Sequence, residues 1–314
     1  MIKNRHGEII DERKTKITNI SCGSHVAVMI ANDFEDSQEA ALCLLYNTTG
    51  GRLALEVLTK PIISKLVGRF MDSPASAVLI PAFVRKNHID ISQYDLNGVF
   101  TYNQFFTRKI RNGMRSVDYN PDSFISPCDA KLSVYKICPK SVFCIKNSPY
   151  RVRDLLANDE LAKKYNGGWC MIFRLEVSDY HRYCYIDNGT KNENTFINGE
   201  LHTVNPVALG HYNVYKRNCR EFTTLHTDNF GDVTQVEVGA MMVGKIANLH
   251  QQHSFCRGDE KGMFMFGGST IVLLVQKEKV LPDSDILANT AQGFETAVKL
   301  GEKIGTTYSI SKRQ

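Results

Sequence analysis

Apolar and polar residues are spaced differently in the first third of the chain and in the rest. Between Asp36 and His88 the spacing is largely that of helices. One helix face there would consist of five apolar residues: Ile62, Ile63, Leu66, Val67 and Phe70. Pro61 precedes this face, and proline suits the first turn of a helix because its fixed φ angle is helical. The pattern therefore predicts a helix that begins near Pro61.

From about Asp118 onward the pattern changes to short strands separated by Gly, Asn and Asp. The clearest predicted strands are Met171 to Val177, Val233 to Val243 and Thr270 to Gln276. Helical spacing returns from Ser284 to Lys303. We therefore expect an α+β fold, with an N-terminal amphipathic helical part at residues 1–100 and a mainly β core at residues 101–314.

Basic residues outnumber acidic ones in the predicted N-terminal helices. The basic residues between positions 52 and 86 are Arg52, Lys60, Lys65, Arg69, Arg85 and Lys86, and the acidic ones are Glu56 and Asp72. A basic amphipathic segment can bind a membrane interface. A helix packed on its own core with a charged outer face gives the same pattern, so the spacing alone leaves both interpretations open.

Composition, charge and cysteine content limit the classes of protein to which the chain can belong. The chain has 314 residues, of which 43% are apolar, which is enough to bury a full core. Its net charge of +5 favours contact with an anionic surface but does not by itself indicate nucleic acid. The nine cysteines form no C-x-x-C pair and are odd in number, so we expect neither a metal site nor a disulfide framework, and we expect a reducing compartment. The N-terminus lacks the apolar core of a signal peptide, and no apolar run is long enough to span a bilayer.

The segment richest in candidate chemistry runs from Arg257 to Thr270 and ends in Gly267-Gly268-Ser269-Thr270. Glycine tolerates backbone geometries that other residues resist, so Ser269 Oγ could be held against the preceding carbonyl. That arrangement suits intramolecular acyl transfer, in which the nucleophile and its target are already neighbours. A glycine-rich turn that enters the strand beginning at Thr270 explains the same residues without any chemistry.

The whole segment resembles the processing site of the phosphatidylserine decarboxylase family, K/R-G-x-E-x-G-x-F-x-F-G-G-S-T. Five further segments resemble the family's motifs in the same order: Phe105-Phe-Thr-Arg108, Ser126-Pro-Cys-Asp129, Asp179-Tyr-His-Arg182, Gly199-Glu-Leu-His-Thr-Val-Asn-Pro206 and Val238-Gly-Ala-Met-Met-Val-Gly244. Each motif is weak alone, but the ordered set is specific. The likeness is closest to the shorter, bacterial-type enzymes.

The resemblance implies a proenzyme that cuts itself between Gly268 and Ser269. The products would be a β chain of residues 1–268 and an α chain of residues 269–314, and the last strands of the core would follow the cut. Ser269 would become a pyruvoyl group, an electron sink that serves as a covalent cofactor. The mature enzyme would convert phosphatidylserine to phosphatidylethanolamine and CO2. By the same resemblance Asp129 is the orienting acid of the processing centre, Ser269 the nucleophile and His181 the general acid of decarboxylation.

The chain departs from the family pattern at Cys184. The family normally reads D-Y-H-R-x-H, and its second histidine is the usual base of the processing triad, whereas this chain has Cys184 there. A thiol is mostly protonated at neutral pH unless its surroundings lower its pKa. Either His181 takes over the base role, or Cys184 acts as a thiolate beside a cation. The alternatives are an unprocessed member that binds anionic lipid without catalysis, and a pyruvoyl enzyme for a soluble amino acid.

The expected partners follow from the resemblance. They are phosphatidylserine in an anionic membrane, the chain's own α and β products and a second copy in a homodimer, but no nucleic acid. A lipid substrate also gives the basic N-terminal part a purpose, since basic residues near an anionic surface each contribute about 1 kcal/mol. We therefore expect a peripheral protein on the cytoplasmic face of a membrane.

Overall fold

The computed structural model describes residues 1–11, 48, 61–138, 143–145, 148–199, 218–239, 246–265 and 269–308. At residues 11, 61–65, 143–145 and 148–150 only the backbone is described. The described chain is α+β, with strands as its main component.

The helices of the described residues are short, and three of the six α-helices lie between β2 and β4. The α-helices are α1 (Pro61–Met71), α2 (Ile80–Lys86), α3 (Tyr102–Phe106), α4 (Val152–Leu156), α5 (Asp159–Lys163) and α6 (Ser284–Ala291), with 3-10 turns at Pro74–Leu79 and Ile91–Gln93. A capping box starts α3, because Thr101 Oγ1 accepts from the backbone of Gln104 while the Gln104 side chain accepts from that of Thr101. No helix in the described residues is long and apolar enough to cross a bilayer.

The strands are numbered in chain order. They are β1 (Ile2–Lys3), β2 (Ile9–Asp11), β3 (Tyr94–Asp95), β4 (Lys109–Ile110), β5 (Ser123–Ile125), β6 (Ala130–Lys136), β7 (Phe143–Ile145), β8 (Ser148–Tyr150), β9 (Trp169–Leu175), β10 (Arg182–Cys184), β11 (Gly189–Lys191), β12 (Thr195–Ile197), β13 (Arg220–Thr227), β14 (Gly231–Val238), β15 (Ile246–Asn248), β16 (His253–Phe255), β17 (Glu260–Phe264), β18 (Ser269–Val275), β19 (Val280–Pro282), β20 (Glu295–Val298) and β21 (Lys303–Thr307).

One large sheet organises the molecule. Its strand order is β16-β11-β13-β14-β18-β9-β6-β20-β1-β2, with β12 also paired to β13. Every residue of β18 is buried, which explains why its sequence, Ser-Thr-Ile-Val-Leu-Leu-Val, is almost continuously apolar. β18 is antiparallel to both neighbours, β14 and β9. The strand that begins at Ser269 therefore lies in the middle of the sheet.

A smaller sheet, β10-β17-β15, lies against β14 of the large sheet. The contact includes a fully buried ion pair, in which Lys261 Nζ of β17 lies 2.6 Å from Glu237 Oε1 of β14. The ion pair thus connects β17 to β14, which is a neighbour of β18 in the large sheet. The other small sheets are β19-β21-β5, β3-β4 and β7-β8.

Two clusters of buried apolar side chains hold these layers together. The larger one surrounds β6, β9, β14 and β18. The smaller one consists of Met71, Tyr102 and Phe106, with Val67, Ile80 and Phe83 packed around it. It joins α1 and α2 to α3, and so connects the N-terminal helices to the segment that precedes the β core.

The structure confirms much of the predicted pattern and corrects part of it. A helix does begin at Pro61, while residues 36–47 and 49–60 of the predicted helical region lie outside the described residues. The three predicted strands correspond to β9, β14 and β18, and residues 240–243 of the second also lie outside the described residues. Strands do follow the predicted cut, as expected.

The prediction of helix from Ser284 to Lys303 is wrong beyond Ala291. The chain turns at Gly293, whose φ of +80° suits glycine, and then forms β20 and β21. Pairing of Thr296 with Leu132 of β6 overrides the local helical spacing. Residues 2–11, which the prediction placed in the helical part, form β1 and β2 at the edge of the large sheet.

Candidate active site

Ser269 is the first residue of β18 and lies opposite Leu175, the last residue of β9. Its side chain is completely buried, and Oγ has no hydrogen-bond partner among the described residues. A buried hydroxyl without a partner costs free energy, so such a group in a well-ordered strand is a candidate for chemistry. Gly267 and Gly268 lie outside the described residues, so the bond predicted to be cut is known here only from its serine side.

His181 lies at the same end of the sheet as Ser269. Leu175, opposite Ser269, leads through a short turn to His181. From the other side, the Phe264 backbone N–H donates to the carbonyl of His181 at 2.9 Å, and Phe264 leads along the chain to Ser269. The two segments that flank His181 are thus the two that adjoin Ser269.

The His181 imidazole is buried and held in one orientation. Nδ1 lies 2.9 Å from the carbonyl oxygen of Asp179, and the ring packs on Phe106 with 4.0 Å between centroids. A carbonyl only accepts, so Nδ1 carries the proton of this hydrogen bond. In the neutral imidazole the lone pair is then on Nε2. His181 can therefore accept a proton at Nε2 or, once protonated, donate it there.

Asp129 is buried just before β6, where a guanidinium group and a backbone N–H hold its carboxylate. Arg115 Nε lies 2.9 Å from Oδ1 and 3.1 Å from Oδ2, and the Leu300 backbone N–H donates to Oδ1 at 2.9 Å. Burial alone would raise the pKa of Asp129, but the hydrogen bond from Arg115 and the charges of Lys299 and Arg115 outweigh it, and the pKa falls below its usual value. The carboxylate is thus ionised at neutral pH, and the hydrogen bonds described for it do not include His181.

Cys184 is buried in β10, next to the segment that carries Asp129. Its backbone N–H donates to the carbonyl of Pro127 at 2.9 Å, and its Sγ lies 4.0 Å from the carbonyl oxygen of Ser126. Burial raises the pKa of the thiol to about 12, and the carboxylates of Asp259 and Asp129 act in the same direction. The thiol is therefore protonated at neutral pH, which disfavours the thiolate as the processing base.

Two buried arginines donate hydrogen bonds to backbone carbonyls. Arg108 is buried and donates to four backbone carbonyls, those of residues 105, 106, 178 and 179. Arg220 is buried and donates to the carbonyls of residues 154, 155 and 218. Both guanidinium groups stabilise the backbone around the site.

The cations that hold the acidic residues lie outside the motifs that the sequence singles out. Arg115 lies in an irregular segment with no periodic pattern, and no local signal points to its contact with Asp129. Lys131 does carry a signal, since it is a charged residue in the otherwise largely apolar strand β6. Its Nζ lies 2.7 Å from each carboxylate oxygen of Asp179. Most of the segments Gly199 to Pro206 and Val238 to Gly244 lies outside the described residues.

Comparisons with known proteins identify the family of the chain. The family model described as phosphatidylserine decarboxylase matches residues 102–306, which include Asp129, His181 and Ser269. The chain is 46% identical to phosphatidylserine decarboxylase proenzyme 2 of Clostridium acetobutylicum over 267 residues, 85% of this chain and 91% of the relative.

Two further relatives are similar over nearly their whole length. The phosphatidylserine decarboxylase proenzyme of Clostridium botulinum strain Eklund 17B is 40% identical over 286 residues, 88% of this chain and 97% of the relative. The proenzyme of Ruminiclostridium cellulolyticum is 40% identical over 275 residues, 86% of this chain and 91% of the relative. With a family match over more than half its length and relatives at this identity, the chain belongs to the phosphatidylserine decarboxylase family.

Proposed function

We propose that the chain is a proenzyme that cuts itself between Gly268 and Ser269 and then decarboxylates phosphatidylserine to phosphatidylethanolamine. The observation that carries the proposal is the buried Ser269 Oγ, which has no hydrogen-bond partner in the described residues and follows two glycines at the start of the central strand. Family membership supports the same assignment.

The processing step uses groups of this chain and one water molecule. Ser269 Oγ attacks the carbonyl carbon of Gly268, and the peptide C–N bond breaks as the ester forms. Loss of the Ser269 Cα proton then breaks the Cβ–O bond, releases Gly268 as a carboxylate and leaves a dehydroalanine. Water converts the dehydroalanine to a pyruvoyl group and releases ammonia. His181 is our candidate to take the Oγ proton, because its neutral form has the lone pair on Nε2.

We assign Asp129 the role of the acid in the processing centre. Its carboxylate is kept ionised by Arg115 and fixed by the Leu300 N–H, so it would act on a protonated His181 through its charge. Cys184 has no proton-transfer role in this scheme, since its thiol is protonated at neutral pH.

The surroundings of Ser269 fit a pyruvoyl group. The residue is enclosed, its Oγ makes no hydrogen bond with the described residues, and backbone pairing to β14 and β9 would keep β18 in the sheet after the cut. The pyruvoyl carbonyl would supply an electron sink for the departure of CO2. His181 would hold the proton that the product must receive, and the buried position of the site would exclude bulk water.

We further propose that the N-terminal helices lie on an anionic bilayer at the cytoplasmic face. Large apolar side chains are exposed along this part of the chain, with Val78 77% and Phe100 68% exposed. Others are Leu66, Phe70, Leu79 and Ile91. The exposed basic side chains Arg69 and Arg85 lie in the same helices. Apolar side chains with nearby cations suit a membrane interface that contains phosphatidylserine.

The experiment that tests the processing proposal compares the wild-type chain with Ser269→Ala. On a denaturing gel the wild type should give two fragments, and mass spectrometry should identify them as residues 1–268 and 269–314 with a borohydride-reducible N-terminus. Ser269→Ala should stay intact, while Ser133→Ala, which removes a buried serine of β6, should still be cut. The mature protein should release CO2 from phosphatidylserine in detergent micelles. A wild-type chain that stays intact and inactive with lipid would overturn the proposal.

A further inference from the structure

A tight turn carries the chain from β9 to His181, and its conformation decides where the hydrogen-bond partner of the imidazole lies. The Glu176 backbone N–H donates to Asp179 Oδ2 at 2.7 Å, and the Asp179 N–H donates back to the carbonyl of Glu176 at 3.0 Å. The carbonyl of Asp179, at the end of this turn, accepts from His181 Nδ1. A change in the turn would therefore move the group that fixes the imidazole tautomer.

Lys131 holds this turn by its charge. It lies on β6 opposite Arg174 of β9, and its largely buried side chain reaches across to the turn. Nζ lies 2.7 Å from both oxygens of Asp179 and 3.3 Å from Glu176 Oε2. Burial alone would lower the pKa of Lys131, but Asp179 and Glu176 outweigh it and raise the pKa, so the amine stays charged. Arg174 Nη1 also lies 3.1 Å from Glu176 Oε1, so Glu176 has a second cationic partner, while the cation described at the carboxylate of Asp179 is Lys131.

Arg108 supports the same turn through its backbone. Its Nη2 lies 3.2 Å from the carbonyl oxygen of Ser178 and 3.5 Å from that of Asp179. The guanidinium is itself fixed over the ring of Tyr94, 4.2 Å from the ring centroid. The backbone on one side of the turn and the carboxylates on the other are thus held by different cations.

We infer that Lys131 is a positioning residue for His181: by holding the carboxylates of Asp179 and Glu176 it fixes the turn whose carbonyl keeps the imidazole proton on Nδ1. The inference rests on the proposed function only in taking His181 as the group that transfers protons. Lys131 itself contacts neither Ser269 nor His181 in the described hydrogen bonds, so its effect passes through the turn.

The first test determines the tautomer of His181 directly and does not require enzymatic activity. In Ser269→Ala protein every chain has the same covalent form, and 15N-labelled histidine reports which ring nitrogen is protonated. The His181 signals are assigned by their loss in His181→Gln. They should show protonated Nδ1 in the parent protein. When Lys131→Met is added to the parent protein, both tautomers of His181 should be populated. When Lys131→Arg is added instead, Nδ1 should remain the protonated nitrogen.

The second test uses the mature enzyme. Lys131→Met should lower kcat by about 10- to 100-fold, the effect expected when a catalytic group is displaced by about 1 Å, and should leave KM for phosphatidylserine nearly unchanged. Lys131→Arg should restore most of kcat. Lys136→Met removes an exposed lysine from the same strand, whose Nζ lies over the ring of Trp169, and should leave kcat unchanged.

A folded Lys131→Met protein that keeps the parent tautomer and kcat would overturn the inference. If Lys131→Met fails to fold, Asp179→Asn takes its place, because it removes the carboxylate charge while its side-chain oxygen can still accept from Glu176. Retention of the Nδ1 proton in that variant would equally overturn the inference. A wild-type chain that never cuts itself would defeat the proposed function, but the tautomer comparison would still decide the role of Lys131.

Discussion

Arg115 and Asp129 form a buried ion pair in which the guanidinium contacts both carboxylate oxygens. The pair connects an irregular segment after β4 to the start of β6. The backbone N–H of Leu300 also donates to the Asp129 carboxylate. Geometry of this kind fixes both the position and the charge of a carboxylate. The acid that the sequence assigns to the processing centre is thus also part of the structural framework.

Replacing Arg115 should destabilise the fold in a pH-dependent way. Arg115→Met leaves a buried carboxylate without its main partner, which should cost about 3 kcal/mol of unfolding free energy at pH 7. The pKa of Asp129 is depressed in the folded wild type, so its stabilising contribution is complete above the unfolded value, near 3.9, and is lost as the pH falls through the folded value. The difference in unfolding free energy between the variant and the wild type should therefore become smaller as the pH falls. Urea unfolding between pH 7 and pH 3 measures it.

Arg111→Met is the matched control for this prediction. Arg111 lies in the same segment and donates to the backbone carbonyl of Tyr94 at 2.9 Å. Arg111→Met should lower the unfolding free energy by less than Arg115→Met does. The decrease should not depend on pH in this range. Equal pH dependence in the two variants would show that the charge of Asp129 is not what Arg115 stabilises.

Cys184 should be dispensable for processing. Burial raises the pKa of the thiol to about 12, so the thiol is protonated at pH 7 and we do not expect it to serve as the base. Cys184→Ala should cut itself at the wild-type rate, whereas His181→Gln should slow the cut by about 100-fold or more, as loss of a general base does. The rate at which fragments appear in freshly synthesised chain measures both. If Cys184→Ala folds normally but stays intact, the sulfur has a role in the reaction.

The position of Ser269 and His181 relative to the strands could be predicted from the sequence, because both residues lie in short contiguous motifs, whereas their roles come from the resemblance to the family. Ser269 follows two glycines and opens an apolar segment long enough for a central strand, which is β18. His181 lies between Tyr180 and Arg182 after the buried strand β9. In both cases the local pattern alone places the residue at a strand end.

Contacts between distant segments could not be predicted in the same way. Arg115 reaches Asp129 from an irregular segment, and β1 pairs with β20 across almost the whole chain. The helical spacing beyond Ala291 was misleading because pairing with β6 outweighs a weak local preference. Such contacts are determined by the assembled sheet, and no single window of the sequence contains them.

The exposed side chains of Phe70, in α1, and Phe100, just before α3, should contribute to binding of anionic vesicles. Burying a phenylalanine side chain contributes about 1.5 to 3 kcal/mol, so the double variant Phe70→Asp/Phe100→Asp should weaken binding by at least about tenfold. Phe196→Asp is the matched control, since Phe196 is 60% exposed but lies on β12. Co-sedimentation with phosphatidylserine and phosphatidylcholine vesicles measures the effect. An equal loss in Phe196→Asp would refute a specific role of the N-terminal helices.

The buried pair between Lys261 and Glu237 should stabilise the fold only as a pair. Both side chains are fully buried, Lys261 Nζ also lies 2.8 Å from Asn248 Oδ1, and the pair joins β17 to β14. Lys261→Met alone should lower the unfolding free energy by about 3 to 5 kcal/mol, because it leaves Glu237 as an unpaired buried charge. Glu237→Gln alone should have a similar cost.

The double variant Lys261→Met/Glu237→Gln should be more stable than either single variant, since the desolvation cost of both charges disappears with their attraction. A double-mutant cycle by urea unfolding at pH 7 gives the coupling directly. The same cycle on the exposed pair of Lys163 and Glu160 should show little or no coupling, because solvent screens it. Additive losses at Lys261 and Glu237 would mean that each side chain is held by its other partners, and that β17 does not depend on this ion pair for its position beside β14.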